Sequence, residues 1–185
     1  YLRHKHRLEP LPLHIWKFLR MRPANFPSLR IAQFAALVHR SLHLFARILE
    51  RTTVGELTEL LRVTAGTYWD THVRFGEVQQ SVGSKRLGDA SIRNIIINTI
   101  APIRFLYAHH HGIREQQLQT LQLLEAMVPE QNNIVTVWRE AGWEPVNAAQ
   151  SQAMIQLFNG YCSARRCLEC GIGLNLLRSG NNSAG

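Results

Sequence analysis

The chain has 185 residues, which is enough for one ordinary domain with a packed core, and 45% of them are hydrophobic. No apolar run approaches the ~20 residues that span a bilayer, and the cysteines are too few and too close together for a secreted disulfide framework. These features exclude a membrane-spanning chain and a disulfide-stapled domain, and they predict a cytoplasmic protein without a membrane partner.

The formal net charge of +8 is concentrated at the N-terminal end of the chain. Residues 1–51 hold ten Lys or Arg against two Glu, whereas the remaining residues hold eleven basic and eleven acidic side chains. Most of the basic residues are arginine, whose planar guanidinium suits phosphate and carboxylate groups. The N-terminal quarter is therefore a candidate face for nucleic acid or for an acidic partner, with a solvated surface that binds nothing as the alternative.

The first predicted elements are two helices separated by a turn. Leu13 begins a short amphipathic helix that ends in the turn containing Pro23 and Pro27, because proline disrupts a helix interior. A long helix is predicted from Ser28 to Leu49, with an apolar arc wide enough to be buried on much of its circumference as a central member of a bundle. No segment alternates convincingly as a β-strand.

Capping signals mark two later helices. Thr53 and Glu56 are spaced as a capping box, which predicts a helix up to about Val63. Asn147 and Gln150 have the same spacing, and they open the segment that carries the cysteines.

Prolines and glycines bound the remaining helices. A helix that begins near Asp89 must kink or step at Pro102 and end at Gly112. Two further helices are predicted over residues 113–128 and 132–141.

The expected fold class is all-α, an irregular multi-helix bundle of about seven or eight helices. We expect one domain over residues 1–178 and a disordered tail over residues 179–185. The first residues contain neither an initiator methionine nor a signal-type apolar stretch, so a longer polypeptide is expected, with its missing N-terminal half as a partner. The sequence leaves homo-oligomerisation open.

The three cysteines, Cys162, Cys167 and Cys170, fall in one short run of C-x4-C-x2-C spacing. Zinc and iron-sulfur centres use such runs, because soft thiolates on short loops converge on these metals. The fourth ligand is missing from the run. The three consecutive histidines at 109–111 could supply it, although their place at a helix end favours a capping role.

Helix geometry tests this metal hypothesis. In an unbroken helix over residues 150–178, Cys162 and Cys170 would lie about 12 Å apart along the axis, too far to share a metal. Residues 163–166 contain no helix breaker, which favours inert thiols. Cys167 and Cys170, however, fall opposite the apolar stripe of that helix, which favours a second buried contact, a ligand or a loop.

A second candidate site lies at the first turn. Arg20, Arg22 and Arg30 concentrate three guanidiniums around a rigid turn, and Asn25 adds a polar group that can bind backbone or ligand. These four residues are the candidate contacts for nucleic acid or an acidic partner. Alternatively, Asn25 and Phe26 simply fix the turn and pack it.

Recognisable catalytic motifs are absent, and the sequence does not decide whether the protein is an enzyme. His72 lies between Asp70 and Arg74, but residues two apart on a helix do not face each other. His39 and His43 are spaced to meet on one helical face, without a third metal ligand.

Three blocks of sequence carry a resemblance to a known family: residues 22–33 (RPANFPSLRIAQ), 87–100 (LGDASIRNIIINTI) and 159–173 (NGYCSARRCLECGIG). Together they resemble the C-terminal half of an uncharacterised bacterial family called domain of unknown function 2851, and the cysteine-bearing block is the most specific. Family members carry an upstream half with acidic and E-I-H segments reminiscent of the PD-(D/E)XK nuclease core. The resemblance thus implies nuclease-like chemistry outside this chain and no established activity for the family.

The sequence supports three functional hypotheses. The first is a non-catalytic helical accessory domain of a larger cytoplasmic protein, with its arginine-rich N-terminal helices facing nucleic acid or an acidic partner. The second is a zinc or iron-sulfur domain of a nuclease-like enzyme whose catalytic half lies elsewhere. The third is a purely structural packing or oligomerisation module.

Overall fold

The computed structural model describes residues 1–18, 25–78 and 83–181. Their contacts group into two compact units. The N-terminal unit comprises Tyr1–Glu50 and Leu57–Ile92, and the C-terminal unit comprises Arg51–Glu56 and Arg93–Gly185. The fold class is all-α, as expected, with one small hairpin in the described residues. The single domain over residues 1–178 stays a prediction.

The described residues of the N-terminal unit form short helices, two 3₁₀ turns and the hairpin. In chain order these are α1 (Leu2–Lys5), a 3₁₀ turn (Leu13–Ile15), α2 (Pro27–Arg40), α3 (Leu44–Glu50), most of α4 (Val54–Leu61), a 3₁₀ turn (Thr67–Asp70), β1 (His72–Arg74), β2 (Glu77–Val78) and the first part of α5 (Asp89–Ile95).

The prediction of one long helix over residues 28–49 is wrong, because a turn separates α2 from α3. His43 adopts a left-handed backbone conformation with φ 59° in the turn between them. Arg40, the last residue of α2, donates hydrogen bonds to the carbonyl oxygens of Leu60 at 2.7 Å and Arg62 at 2.9 Å. The end of α2 is thus tied to the C-terminal end of α4 by a tertiary contact that apolar periodicity does not reveal.

The buried face of α2 is also narrower than its apolar arc predicts. Leu29 and Leu37 are buried on one side, and Leu29 packs in a core cluster with Ala65 and Trp69. Phe34 and other large apolar residues of α2 are exposed. Within the described residues, α2 therefore lies at the edge of its core rather than in the centre of a bundle.

The hairpin was not predicted, because strands of three and two residues are too short to show alternation. β1 and β2 pair antiparallel, with His72 opposite Val78 and Arg74 opposite Glu77. Gly76 in the connecting turn has φ 75°, a conformation that glycine adopts without strain. The Ser28 hydroxyl donates to the carbonyl of Val73, which fastens the hairpin to α2.

In the described residues of the C-terminal unit, all the regular secondary structure is helical. Its elements after α5 are a π-helical turn (Ile96–Ile100), α6 (Ala101–His110), α7 (Arg114–Glu125), α8 (Asn133–Glu140), α9 (Ala148–Leu157), a second π-helical turn (Phe158–Cys162), a 3₁₀ turn (Cys167–Glu169) and α10 (Gly171–Asn181). α10 thus includes residues 179–181 of the predicted tail, and residues 182–185 lie outside the described part. None of the described helices has the length and apolarity that a bilayer span needs.

The boundaries around α6 follow the sequence signals. The step expected at Pro102 is the π-helical turn before it, where the Ala101 N–H donates to the Ile96 carbonyl, five residues back. Gly112 ends α6 with φ 69°, and the Ile113 N–H donates to the Ala108 carbonyl at 2.8 Å. This is the Schellman arrangement that glycine favours.

The unbroken helix considered for residues 150–178 is wrong. After the second π-helical turn, the Arg166 N–H donates to the Tyr161 carbonyl at 2.9 Å, and the Arg165 N–H donates to the Cys162 carbonyl at 3.1 Å. These two bonds form a Schellman motif, with Arg165 at φ 54° in the position usually held by glycine. The Arg166 guanidinium lies 5.5 Å from the Tyr161 ring, which adds the side-chain contact that often accompanies the motif.

Candidate functional site

Two of the four residues predicted at the first turn, Asn25 and Arg30, take part in a polar network in the described part of the chain. Arg30 donates to the Asn25 side-chain oxygen at 2.6 Å, to the Gln33 side-chain oxygen at 3.0 Å and to the Ser91 hydroxyl at 2.9 Å. Burial lowers the pKa of the Arg30 guanidinium below its ordinary value. Arg20 and Arg22 lie outside the described residues.

This network makes Arg30 a structural residue. Three of its N–H groups are held by neutral oxygens within its own unit, and Gln33 continues the network by donating to the Lys85 carbonyl at 3.1 Å. Asn25 is exposed, but its oxygen accepts from Arg30. The alternative interpretation, in which Asn25 fixes the turn, fits these contacts better than a free anion-binding pair.

The cysteines are not gathered into a metal site. Cys162 and Cys167 are exposed, whereas Cys170 is buried. Although the backbone does turn between Cys162 and Cys170, no group of three or more His, Cys, Asp or Glu side chains in the described ranges is placed to hold a metal ion. The zinc or iron-sulfur centre expected from the spacing therefore has no support in the described geometry.

A close backbone contact accounts for part of the cysteine block. A Cβ atom added to Gly173 would overlap the carbonyl of Cys167, and its distance to the carbonyl carbon would be 3.1 Å. The first turn of α10 therefore packs against the backbone of the 3₁₀ turn, which only glycine permits. Gly173 of the cysteine-bearing block thus has a packing role.

The histidines singled out by sequence also have structural surroundings. His72 stacks on Tyr68 with a centroid distance of 4.0 Å, and its Nδ1 lies 2.9 Å from the Tyr68 carbonyl oxygen. His39 lies in the last turn of α2, and His43 lies in the turn after that helix, so the two are not on one continuous helical face. His111 packs its ring against Tyr107 at 4.3 Å, at the end of α6.

The described N-terminal unit contains a cavity of about 720 Å³, within the range of about 300–1,000 Å³ typical of ligand sites. Its walls come from the segment after the first 3₁₀ turn, from α2 and from the hairpin region. We call it the aromatic cavity, lined by Trp16, Phe18, Ser28, Ile31, Ala32, Ala35, Trp69, Arg74, Phe75 and Glu77.

Four of the ten lining residues are aromatic, and of these Phe75 is exposed. Trp69 is buried, whereas Phe75 at the hairpin turn is 77% exposed with its ring centroid 5.1 Å from that of Trp69. The hairpin holds Phe75 at the cavity because Gly76 permits the tight turn. A planar group could therefore stack on Phe75 beside Trp69.

Arg74 brings a positive charge to the wall. Its guanidinium carbon lies 4.3 Å from the Phe18 centroid and 4.9 Å from the Phe26 centroid, so the rings restrain it. Its only ion pair among the described residues is with Glu77 at 3.4 Å, and its Nε–H has no hydrogen-bond partner there. The two rings thus orient the guanidinium, while its Nε–H makes no hydrogen bond to a described residue.

The two units differ sharply in charge. The N-terminal unit holds thirteen Lys or Arg against six Asp or Glu, a net charge of +7, whereas the C-terminal unit holds eight against seven. Several cations of the N-terminal unit are exposed and have no side-chain hydrogen bond or ion pair with another described residue: Arg3, Arg7, Lys17, Arg47 and Arg86. The aromatic cavity therefore belongs to the basic part of the molecule.

Sequence reasoning located the charge but missed the cavity. The only signal was the aromatic-rich segment 67–76, whose composition does not show that Trp16 and Phe18, about fifty residues earlier, share a wall with it.

Comparison with known proteins gives one match. The family model described as "Protein of unknown function (DUF2851)" matches residues 1–133, and no curated protein and no solved structure matches the chain. The match includes the blocks at 22–33 and 87–100 but not the cysteine-bearing block at 159–173, which was expected to be the most specific. It covers the N-terminal part of this chain rather than a C-terminal half. The chain belongs to the DUF2851 family.

Proposed function

We propose that this chain is a non-catalytic accessory domain of a larger cytoplasmic bacterial protein and that its N-terminal unit binds single-stranded nucleic acid. The observation that carries the proposal is the aromatic cavity, in which an exposed phenylalanine and a restrained guanidinium occur together in a unit of net charge +7.

The chemistry of the wall suits an unpaired base. Every nucleic-acid base has a π-face that can stack on an aromatic ring, and Phe75 offers such a ring beside Trp69. The Arg74 guanidinium, held at the wall by the Phe18 and Phe26 rings, brings a positive charge that can attract a phosphate oxygen. A base in a duplex is already stacked, so this arrangement favours a single strand.

The positive charge of the same unit suits the phosphate backbone. Exposed cations such as Arg3, Lys17 and Arg86 carry no partner among the described side chains and can neutralise phosphates. Arg30 has no such part in the proposal, because its N–H groups are held internally.

Fluorescence anisotropy with labelled oligo(dT), oligo(rA) and a matched duplex tests the proposal. We expect both single strands to bind more tightly than the duplex, with the logarithm of affinity falling linearly with the logarithm of salt concentration. Phe75→Ala should cost about 1–3 kcal/mol of binding free energy, as the loss of a base-stacking ring does. Arg74→Gln should also weaken binding.

Phe105→Ala is the matched control, because Phe105 is a partly exposed phenylalanine of α6 in the C-terminal unit. It should leave oligonucleotide affinity unchanged. Absence of binding at low salt, or equal losses from Phe75→Ala and Phe105→Ala, would remove the proposal.

A further inference from the structure

Helix α2 is apolar on two sides, and among the described residues one side is buried whereas the other is exposed. Leu29, Gln33 and Leu37 are buried. Across the helix, Ile31, Phe34 and Val38 are exposed by 53%, 61% and 45% respectively. We call these three residues the α2 stripe. Their i, i+3, i+7 spacing places them on one helical face, so the exposure is contiguous.

Large apolar side chains exposed in a row are typical of interaction sites. The exposed apolar surface continues along the chain with Leu42 and Phe45, which are 72% and 49% exposed. Phe34 and Val38 do not line the aromatic cavity, so the stripe extends beyond the proposed base-binding site.

Charge identifies the kind of partner that would cover this stripe. Residues 27–49 contain no Asp or Glu, and their exposed polar side chains include Arg47, His39 and His43. A second copy of the same face would bring like charges together, which disfavours self-association through it. A partner with carboxylates beside its apolar residues would instead be complementary.

We propose that the α2 stripe docks an amphipathic helix of another protein, whose apolar residues contact Ile31, Phe34 and Val38 and whose flanking residues are acidic. An apolar helix face is a common way to cover such a row, because both surfaces then repeat with the same i, i+3, i+7 spacing. Acidic flanks would complement the positive charge of residues 27–49, in which Arg47 is exposed and has no ion pair among the described residues.

A synthetic helical peptide tests this inference on the full chain. The probe has leucines at i, i+3, i+7 spacing with glutamates beside them, and its twins carry lysine in place of glutamate or serine in place of leucine. Only the leucine–glutamate peptide should bind in fluorescence anisotropy. Phe34→Ser combined with Val38→Ser should weaken it by about tenfold or more.

The matched control is Leu121→Ser on α7, which removes a leucine that is 43% exposed in the C-terminal unit and should not change peptide affinity. Circular dichroism of the double variant checks that its helices are intact. Equal binding of the glutamate and lysine peptides, or unchanged affinity in the folded double variant, overturns the inference. So does a dimer, seen by light scattering, that the double variant abolishes, because a second copy would then cover the stripe.

Discussion

At the scale of single residues, Arg165 shows how a helix can end without the usual signal. It occupies the left-handed position of a Schellman motif, where Gly112 and Gly142 occupy the equivalent positions after α6 and α8. A side chain in this conformation costs roughly 1–2 kcal/mol that glycine does not incur.

We therefore expect Arg165→Gly to stabilise the protein by about 0.5–1 kcal/mol, part of the relieved strain being offset by the greater freedom of glycine in the unfolded chain. Ser163→Gly is the control, because Ser163 has helical angles, φ −61° and ψ −33°, and glycine there should destabilise. Urea unfolding of the three proteins measures both changes. A loss of stability in Arg165→Gly would show that the assigned turn is wrong.

Two glycines at the start of α10 make a second matched pair. A Cβ at Gly173 would overlap the Cys167 carbonyl, whereas a Cβ at Gly171 would meet nothing within 4 Å. Gly173→Ala should destabilise by about 1–3 kcal/mol, since backbone must move, and Gly171→Ala should be neutral or stabilising. Hydrogen exchange of the α10 amides, together with urea unfolding, distinguishes them. Similar behaviour of the two variants would rule out the close contact.

At the scale of elements, the capping box before α4 is present as the sequence predicted. The Glu56 N–H donates to the Thr53 hydroxyl at 3.2 Å, and the Glu56 carboxylate accepts from the N–H groups of Thr53 and Thr52, each at 3.1 Å. Hydrogen bonds to the carboxylate lower the pKa of Glu56 below its ordinary value. The bond from the Thr53 N–H has the largest effect, followed by the bond from the Thr53 hydroxyl and the bond from the Thr52 N–H.

The sign of the pH dependence follows from that lowered pKa. The contribution of the Glu56 carboxylate is fully present above the pKa of the unfolded chain and is lost as the pH falls through the folded-state pKa. Glu56→Gln should therefore destabilise at neutral pH, and its difference from the wild type should close in acid. Unfolding midpoints of both proteins, measured from neutral to acidic pH, test this prediction. A difference in stability between them that grows on acidification would refute it.

Thr53→Ala removes the other half of the box and should cost about 1 kcal/mol at neutral pH. Thr52→Ala is its control, because Thr52 contributes a backbone N–H that alanine keeps. Equal unfolding midpoints for the two alanine variants would count against the box.

The elements predicted well are those whose ends carry a local chemical signal. Asn132 and Asn147 cap α8 and α9 with their side-chain oxygens, each accepting a backbone N–H at 3.0 Å. The failures have no such signal: Arg40 ends α2 through a tertiary contact, and Arg165 stands where glycine is usual. The strands of the hairpin were too short to display a period.

At the scale of the whole molecule, charge was the property most visible in the sequence. The N-terminal concentration of arginine agrees with the net charge of +7 on the N-terminal unit. Composition could not show which arginines donate hydrogen bonds within the protein. Arg30 and Arg40 bind groups of their own unit, whereas ring contacts restrain Arg74 beside the aromatic cavity. The aromatic cavity is lined by residues far apart in the chain, so no local sequence pattern predicts it.

The most direct test of the base-binding account is photo-crosslinking of an iodouracil-substituted single strand to the full chain, followed by mapping of the modified peptides by mass spectrometry. Stacking in the aromatic cavity predicts crosslinks at Trp16, Trp69 or Phe75 that decrease in Phe75→Ala and persist in Phe105→Ala. Crosslinks confined to the C-terminal unit, or a pattern unchanged by Phe75→Ala, would contradict it.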